Sequence, residues 1–194
     1  MHRSSYQHMQ LLVEKYLDST RTTQVYDLGS YDVNGCYRPL FDQPDWTYHG
    51  IDLETGPNVD IVLDSPYRLP LSSRSADVII SGQAFEHIEY FWLTWLEFAR
   101  VLKVGGMIFL LAPSRGPEHR YPVDCWRFYP DSYRALAKYG ALDLLEVQTD
   151  WHADNDVDSA AWGDTVGVFR KTHSGWKHEF KLKLHSMFSR LLLN

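Results

Sequence analysis

The sequence predicts an α/β fold: a doubly wound, mostly parallel sheet of seven strands with helices on both faces. Two observations lead to this prediction. Short, continuous apolar runs recur along the chain, which is typical of strands that are buried on both faces. Between several of them lie segments with apolar residues at three- and four-residue spacing, as in helices that cross over between parallel strands. The length of 194 residues suits one such domain.

The predicted elements follow one another in a regular order. The chain opens with a helix over 4–18, and a second helix is predicted over 89–103, where Gly105-Gly106 follow as a stop signal. A third helix is predicted around 131–139. The strands are predicted over 24–28, 46–51, 59–63, 76–81, 107–111, 142–148 and 165–170.

Composition excludes several classes of function. Hydrophobic residues make up 44% of the chain and charged residues 23%, which is typical of a globular protein. The net charge of −6 argues against a nucleic-acid partner. No apolar run approaches the roughly 18 residues of a membrane span, so no transmembrane segment is expected. Cys36 and Cys125 lack metal-binding spacing, and we expect a reduced, cytoplasmic protein.

Acidic residues mark the ends of the first three predicted strands. Asp27 lies near the end of the first, and Asp52 and Asp64 follow the second and the third. Such carboxylates can cap helices or pair with arginine, because an unpaired buried charge is costly. Three of them at one edge of a parallel sheet favour a ligand site instead. An acid after the second strand commonly holds the hydroxyls of a ribose.

The turn after the first strand narrows the choice of ligand. Gly29 permits a sharp turn, but no G-x-G-x-x-G pattern follows it, and Asp32 would repel a pyrophosphate. This argues against a dinucleotide-binding oxidoreductase. A cationic nucleoside without phosphate, such as S-adenosylmethionine, suits the acidic turn.

The order of motifs resembles the class I S-adenosylmethionine-dependent methyltransferases, in particular the methyltransferase type 11 group. The resemblance covers about residues 20–115 and implies a Rossmann-like fold. The matching segments are 25–30 (VYDLGS), 50–53 (GIDL), 63–64 (LD), 76–81 (ADVIIS), 85–88 (FEHI) and 100–106 (RVLKVGG). One departure stands out: the usual first loop has glycines at the positions of Tyr31 and Val33, and Gly35 is the nearest replacement.

The resemblance implies S-adenosyl-L-methionine as the cofactor. In that family the acid and glycine of the first strand lie against the methionine part, the acid after strand two holds the ribose, and residues after strand three meet the adenine. The cofactor-binding residues expected on this basis are Asp27, Gly29, Ser30, Asp52, Leu53, Asp64, Ser65 and Gln83.

The methyl acceptor is expected to bind the proline-punctuated segment 113–129. His119 is the first candidate for a catalytic base or a metal ligand, and Asp124 could orient it, bind a metal or pair with Arg127. His87 is a further candidate base, and both histidines could instead be structural. The expected substrate-binding residues are Arg115, Tyr121, Trp126 and Arg127, and a divalent metal such as Mg²⁺ could assist.

The resemblance also suggests an acceptor. Relatives with a long first loop and a segment like Glu118–Phe128 accompany polysaccharide or glycoside biosynthesis, so we expect O-methylation of a sugar hydroxyl on a small-molecule or oligosaccharide acceptor. The alternatives are a small amine or a lipid-linked intermediate as acceptor, and a catalytically inactive methyltransferase-like partner subunit.

The last segment differs in charge from the rest of the chain. Residues 1–170 are expected to form the methyltransferase domain, and residues 171–194 a basic amphipathic helix. That tail carries a net charge of +4, which leaves −10 for the body. We expect the tail to pack on the acidic body or on a second copy in a homodimer; an anionic membrane surface and partial disorder are the alternatives.

Overall fold

A computed structural model describes residues 2–151, 157–173, 175, 179–184 and 187–188. The strands in this part of the chain are β1 (Thr23–Leu28), β2 (Trp46–Asp52), β3 (Ile61–Val62), β4 (Ala76–Gly82), β5 (Leu102–Pro113), β6 (Asp143–Thr149) and β7 (Asp164–Arg170). The helices are α1 (Arg3–Tyr16), α2 (Phe91–Val101), α3 (Pro130–Gly140) and α4 (Val157–Trp162), with 3₁₀ turns at Arg38–Phe41 and Phe85–His87.

All seven strands belong to one sheet with the order β3-β2-β1-β4-β5-β7-β6. Strands β1 to β5 pair in parallel, whereas β7 runs antiparallel to both β5 and β6. The predicted α/β fold with a mostly parallel seven-stranded sheet is therefore confirmed. The reversal of β7 has a consequence for the site, because its first residue lies at the edge where the parallel strands end.

Helices cover both faces of the sheet. On one face α1 packs Met9 and its neighbours against Val78 and Ile80 of β4. On the other face α2 and α3 pack against the alternate side chains, such as Ile79. The indole nitrogen of Trp95 donates to the carbonyl of Leu136 at 2.7 Å, which ties α2 to α3. The continuous apolar runs thus serve two cores, as their lack of alternation predicts.

Several predicted elements have different bounds, and one element was not expected. The glycine pair at 105–106 does not end a helix: α2 ends at Val101 and β5 begins at once, with Gly105 at φ +87° inside the irregular start of the strand. Strand β3 contains two residues rather than five. Helix α4 was not predicted, because its six residues are too few to show a helical repeat of apolar positions.

The described part of the tail packs on the body of the same chain. Residues 179–184 are helical, and Leu182 is buried in the core next to α2 and α3. Glu179 pairs with Arg74 at 3.0 Å and lies 3.5 Å from Lys171. Residues 174, 176–178, 185–186 and 189–194 of the predicted tail helix lie outside the described residues, and the homodimer stays a prediction. No helix in the described ranges is long and apolar enough to cross a membrane.

Candidate active site

The loops after β1 and β4 touch each other at the carboxyl ends of the parallel strands. Gly29 has φ +84°, a conformation that side chains rarely adopt. A Cβ atom on Gly29 would lie 2.4 Å from Cβ of Ala84, so there is room only for glycine. Gln83, predicted to line the cofactor pocket, precedes this contact at φ +60°. Its amide lies 3.4 Å from the hydroxyl of Ser5 on α1.

Asp52 organises the neighbouring loops through its carboxylate. Its two oxygens accept the backbone N–H groups of Tyr31 at 2.9 Å and Leu53 at 2.7 Å. Its carbonyl accepts the N–H of Leu63, which places the exposed Asp64 and the half-buried Ser65 at the same edge. A carboxylate can accept about four hydrogen bonds, so Asp52 can also accept bonds from a ligand.

Asp27 is buried at the end of β1. The hydroxyl of Tyr48 donates to its Oδ2 atom, whereas its Oδ1 atom has no hydrogen-bond partner among the described residues. Burial raises the pKa of Asp27 to about 7, and the hydrogen bond from Tyr48 opposes that shift. The nearby Ser30 hydroxyl is likewise buried without a partner in the described chain. Buried polar atoms are usually paired, so these two point to a bound polar ligand.

The unusual first loop is held against the loop between β2 and β3. Its Tyr31 ring packs on Gly56, where a Cβ atom would lie 2.2 Å from the ring. The carboxylate of Asp32 accepts the N–H of Gly35 at 2.6 Å, and the N–H of Asp32 donates to Pro57 at 3.1 Å. Gly35, at φ +109°, closes this turn.

A second polar group lies beyond the contact between Gly29 and Ala84. Glu86, His87 and His119 each offer one ligand atom, and these atoms lie within 4.8 Å of one another. Glu86 is fully buried, and neither of its carboxylate oxygens has a hydrogen-bond partner among the described residues. Its Oε1 atom is 3.6 Å from Nε2 of His87. On the opposite side of that ring, Nδ1 of His87 lies 2.6 Å from the carbonyl of Val123.

Burial sets the charge state of this group. It raises the pKa of Glu86 to about 8, an effect to which Asp164 and Asp124 add and which Arg127 opposes. Burial also lowers the pKa of His87 and of His119 below the ordinary value. Both imidazoles are therefore neutral at pH 7, and each has one nitrogen lone pair.

Asp124 is occupied by its neighbours. It forms a two-pronged ion pair with Arg127, at 2.6 and 2.8 Å, and accepts the backbone N–H of His119 at 2.8 Å. The hydrogen bonds from Arg127 hold the pKa of Asp124 well below its usual range. This geometry favours positioning of His119 over proton transfer, and it makes Arg127 part of the support of the site.

The other predicted substrate residues fall into two kinds. The guanidinium of Arg115 donates to the carbonyls of Ala160 and Trp151, at 3.1 and 3.3 Å, so it anchors the segment before β7. Tyr121 is 61% exposed, with its ring 6.3 Å from that of His87. Trp126 is 37% exposed and its indole nitrogen donates to the carbonyl of Ile88 at 3.1 Å. Tyr121 therefore offers an open face beside His87, whereas the Trp126 ring packs against Phe91 and Trp92.

Sequence reasoning missed two polar residues here, Glu86 and Asp164. Glu86 lies in the recognised FEHI segment, and its position just after a buried strand was the signal available. Asp164 begins β7, is buried, and accepts a bond of 2.9 Å from His2. An acid at the start of a strand reaches this edge only if the strand is antiparallel, and no local pattern predicts that.

Comparison with known proteins agrees with the resemblance recognised in the sequence. Residues 38–110 match the family model described as a methyltransferase domain. No curated protein sequence matches the chain.

Solved structures share the fold at low identity. A 1,6-didemethyltoxoflavin-N1-methyltransferase of Burkholderia thailandensis with bound S-adenosylhomocysteine is 15% identical, with a TM-score of 0.67 over 88% of this chain and 79% of that one. The complex between the Haloferax volcanii Trm112 methyltransferase activator and a candidate methyltransferase gives 19% identity and a TM-score of 0.65, over 88% and 92%. The (4+2)-cyclase SpnF gives 13% and 0.64, over 87% and 82%. At such identities these matches show the fold alone.

Proposed function

We propose that this chain, which has a methyltransferase-domain match and the class I methyltransferase fold, transfers a methyl group from S-adenosyl-L-methionine to a hydroxyl of a saccharide or glycoside. One observation carries the proposal. Of the nine buried side-chain atoms without a hydrogen-bond partner in the described chain, seven belong to two groups at one edge of the sheet: Asp27 with Ser30, and Glu86 with His119, Arg127 and Asp164. One group suits the cofactor and the other suits an acceptor.

The cofactor side is acidic and suits a cation. Asp27 and Ser30 would face the methionine part, Asp52 the ribose, and Asp64 with Ser65 the adenine, while Leu53 and Gln83 would line the pocket. The orphaned Oδ1 of Asp27 and the unused acceptor capacity of Asp52 support this arrangement. The packed Tyr31 leaves the Gly29 turn intact, so the missing glycines do not by themselves block the site.

The acceptor side supplies groups that can take up a proton. When bound, the cofactor supplies an electrophilic methyl carbon: the acceptor oxygen bonds to it, the carbon–sulfur pair stays on sulfur, and the hydroxyl proton is lost. A neutral imidazole at His119 or His87 can accept that proton or hold the hydroxyl in line. Asp124 and Arg127 would keep His119 in place, and Asp124 is not itself the proton acceptor.

The aromatic faces support a sugar as the acceptor. Tyr121 lies beside His87, and the partly exposed Trp126 donates to the carbonyl of Ile88 just after the same turn. Aromatic faces combined with polar groups are suited to sugar rings. Residues 118–128 resemble a segment of relatives that accompany polysaccharide or glycoside biosynthesis, which also supports a sugar acceptor. An amine or a lipid-linked acceptor would need less help from His119, so loss of that side chain separates these acceptor classes.

A non-catalytic partner subunit is the second candidate, and the altered first loop favours it. Tyr31 and Val33 stand where the family has glycines, and the related fold of a cyclase illustrates that this scaffold carries other chemistry. Binding of S-adenosylmethionine distinguishes the candidates, because a subunit without the cofactor cannot transfer a methyl group.

The test is methyl transfer itself. The full chain is incubated with methyl-labelled S-adenosylmethionine and a panel of mono- and oligosaccharides, with amines and lipid-linked sugars as the competing classes. We expect label in an alkali-stable methyl ether of a saccharide. Label only in an amine or a lipid-linked product would contradict the proposed acceptor, and cofactor binding without any transfer would favour the partner-subunit candidate.

A further inference from the structure

We propose that Glu86, His87 and His119 form a binding site for one divalent transition-metal ion, and that the acceptor binds this ion through two adjacent hydroxyls. The metal site stands on the geometry of these three residues. Its use in orienting the acceptor rests on the proposed function.

The three side chains are close enough to share one ion. Metal–ligand bonds of about 2.0–2.2 Å put two ligand atoms on one ion within about 4.4 Å of each other. The three candidate atoms already lie within 4.8 Å, and the pair from Glu86 and His87 is 3.6 Å apart. Small side-chain rotations therefore bring all three onto one centre.

The ligands are held by a second layer of contacts. Because the carbonyl of Val123 can only accept a hydrogen bond, Nδ1 of His87 carries the proton and Nε2 presents its lone pair beside Glu86. The backbone of His119 is held by Asp124, and its ring lies 4.4 Å from that of Trp162. A histidine ligand fixed through its other nitrogen is typical of metal sites.

Several polar atoms of this group lack a hydrogen-bond partner, although Nδ1 of His119 lies 3.5 Å from Oδ2 of Asp124. Both oxygens of Glu86 and Nδ1 of His119 are buried without a hydrogen bond in the described part of the chain, as is Oδ1 of Asp164 nearby. Asp164, Asp124 and Arg127 are the charged groups that act on the buried Glu86. A cation bound at Glu86 would pair directly with its carboxylate.

The donor set selects the type of metal. Two imidazole nitrogens and one carboxylate oxygen suit Mn²⁺, Fe²⁺, Co²⁺ or Zn²⁺, whereas Mg²⁺ prefers oxygen ligands. The sequence left open a divalent metal such as Mg²⁺, and this donor set favours a transition metal instead. Three protein ligands leave open positions on the ion, where two adjacent sugar oxygens can bind. A hydroxyl on such an ion would lose its proton more readily, and the proton would pass to solvent water, because both imidazoles would hold their lone pairs on the ion.

The position of the site agrees with this role. The turn that carries Glu86 and His87 follows directly after Ala84, which touches Gly29 of the cofactor side. The exposed aromatic residues Tyr121 and Trp126 lie on the outer side of the same turn. The ion would thus hold the saccharide hydroxyls on the side of the site that faces the methyl donor.

Cobalt titration of the metal-stripped full chain tests the site. We expect one Co²⁺ per chain by calorimetry, with a visible absorption band from nitrogen ligands, and much weaker binding of Mg²⁺. Glu86→Gln and His119→Ala should each weaken Co²⁺ binding at least about tenfold, consistent with the effect of removing support or ligands from such sites. The matched control is His173→Ala, since His173 is exposed beyond the end of β7 and far along the chain from the triad.

The outcomes separate the two proposals. If Co²⁺ does not bind, or binds His119→Ala as well as the unaltered chain, the metal site is wrong, and retained binding of S-adenosylhomocysteine leaves the proposed methyltransferase intact. If Co²⁺ binds but S-adenosylhomocysteine does not, the metal site is supported and the proposed methyltransferase is wrong. Binding of S-adenosylhomocysteine also verifies that each variant is folded. His119→Asn serves as the second variant if alanine does not fold.

Acceptor binding to the ion has its own readout. Methyl α-mannoside, which carries adjacent hydroxyls, should shift the Co²⁺ absorption band when S-adenosylhomocysteine is present, and a deoxy sugar without an adjacent pair should not. An unchanged spectrum with a saccharide that the enzyme methylates would overturn the acceptor part of the proposal.

Discussion

The two halves of the site are built in different ways. On the cofactor side, Asp27 and Asp52 lie at the ends of neighbouring strands, and Asp52 accepts the N–H groups of Tyr31 and Leu53. On the acceptor side, distant segments contact one another: the rings of His87 and His119 lie 4.8 Å apart, and Nδ1 of His87 lies 2.6 Å from the carbonyl of Val123. The cofactor side follows from the parallel strands, whose carboxyl ends meet at one edge of the sheet. The acceptor side depends on how distant segments dock.

This difference determines how tolerant each half is of change. The cofactor side keeps its Gly29 turn although two family glycines are replaced, because the Tyr31 ring finds a place on Gly56. On the acceptor side, the position of each side chain depends on its neighbours. His119 is positioned by Asp124, which in turn is held by Arg127, so the loss of one member disturbs the others.

The largest expected effect is on the acceptor side, at His119. Replacing His119 with alanine should lower the rate of methyl transfer about 10²–10⁴-fold, because the hydroxyl loses the group that takes or polarises its proton. Binding of S-adenosylhomocysteine should stay within about twofold, since His119 lies outside the cofactor half. Single-turnover rates and calorimetry measure the two quantities, with His173→Ala as the control. A rate close to that of the unaltered chain would remove His119 from the chemistry.

On the cofactor side the sharpest test is Gly29→Ala. The new Cβ would overlap that of Ala84 at 2.4 Å in a left-handed backbone, so we expect a loss of about 2–5 kcal/mol in the free energy of unfolding. Gly105→Ala is the matched control, because Gly105 has φ +87° but nothing within 4 Å of the added atom. It should cost only about 1–2 kcal/mol. Equal losses in urea denaturation would contradict the close contact between the two loops.

Asp27 gives the cofactor side a pH dependence. Burial raises its pKa to about 7, against about 3.9 in the unfolded chain, so the folded state binds the extra proton between these values. Stability that is present at low pH is therefore lost as the pH rises toward 7. Without cofactor, the unaltered chain should lose about 2 kcal/mol more than Asp27→Asn between pH 5 and pH 8.

Urea denaturation at both pH values measures this difference. Asp131→Asn is the control, because the Asp131 side chain is 93% exposed. The same pH dependence in Asp27→Asn as in the unaltered chain would show that Asp27 is ionised throughout the range.

The smallest expected effect is at Arg115, where it distinguishes a structural role from substrate binding. Its guanidinium donates to backbone carbonyls before β7, so Arg115→Ala should cost about 0.5–1.5 kcal/mol of stability and leave the KM for the acceptor unchanged. Arg120→Ala, which removes an exposed ion pair with Glu118, should change neither quantity. A raised KM in Arg115→Ala without loss of stability would restore the substrate role expected from the sequence.

The same contrast explains what the sequence could predict. Asp27, Gly29 and Asp52 are recognisable because each follows a buried apolar run, and parallel strands bring such residues to one edge. Glu86 and His87 share that logic, but nothing local brings His119 to them. Asp164 reaches the site because β7 is antiparallel, and the apolar run of β7 is the same for either direction.

The predicted end of helix α2 was wrong for a related reason. The glycine pair at 105–106 is a helix stop by local rules, yet α2 already ends at Val101, where buried Lys171 donates to the carbonyls of Ala99 and Leu102 at 2.7 and 3.1 Å. That cap comes from about seventy residues further along the chain. Local signals cannot contain it.

The central claim is that the acidic edge formed by β1, β2 and β3 binds S-adenosylmethionine through Asp52. Calorimetry of S-adenosylmethionine and S-adenosylhomocysteine with the unaltered chain and with Asp52→Asn tests this claim most directly, with Asp131→Asn as the control. We predict one molecule bound per chain and a loss of about 1.5–3 kcal/mol in the binding free energy for Asp52→Asn, roughly 10–100-fold in affinity. Equal affinity in Asp52→Asn, or no binding to the unaltered chain at millimolar cofactor, would contradict the claim.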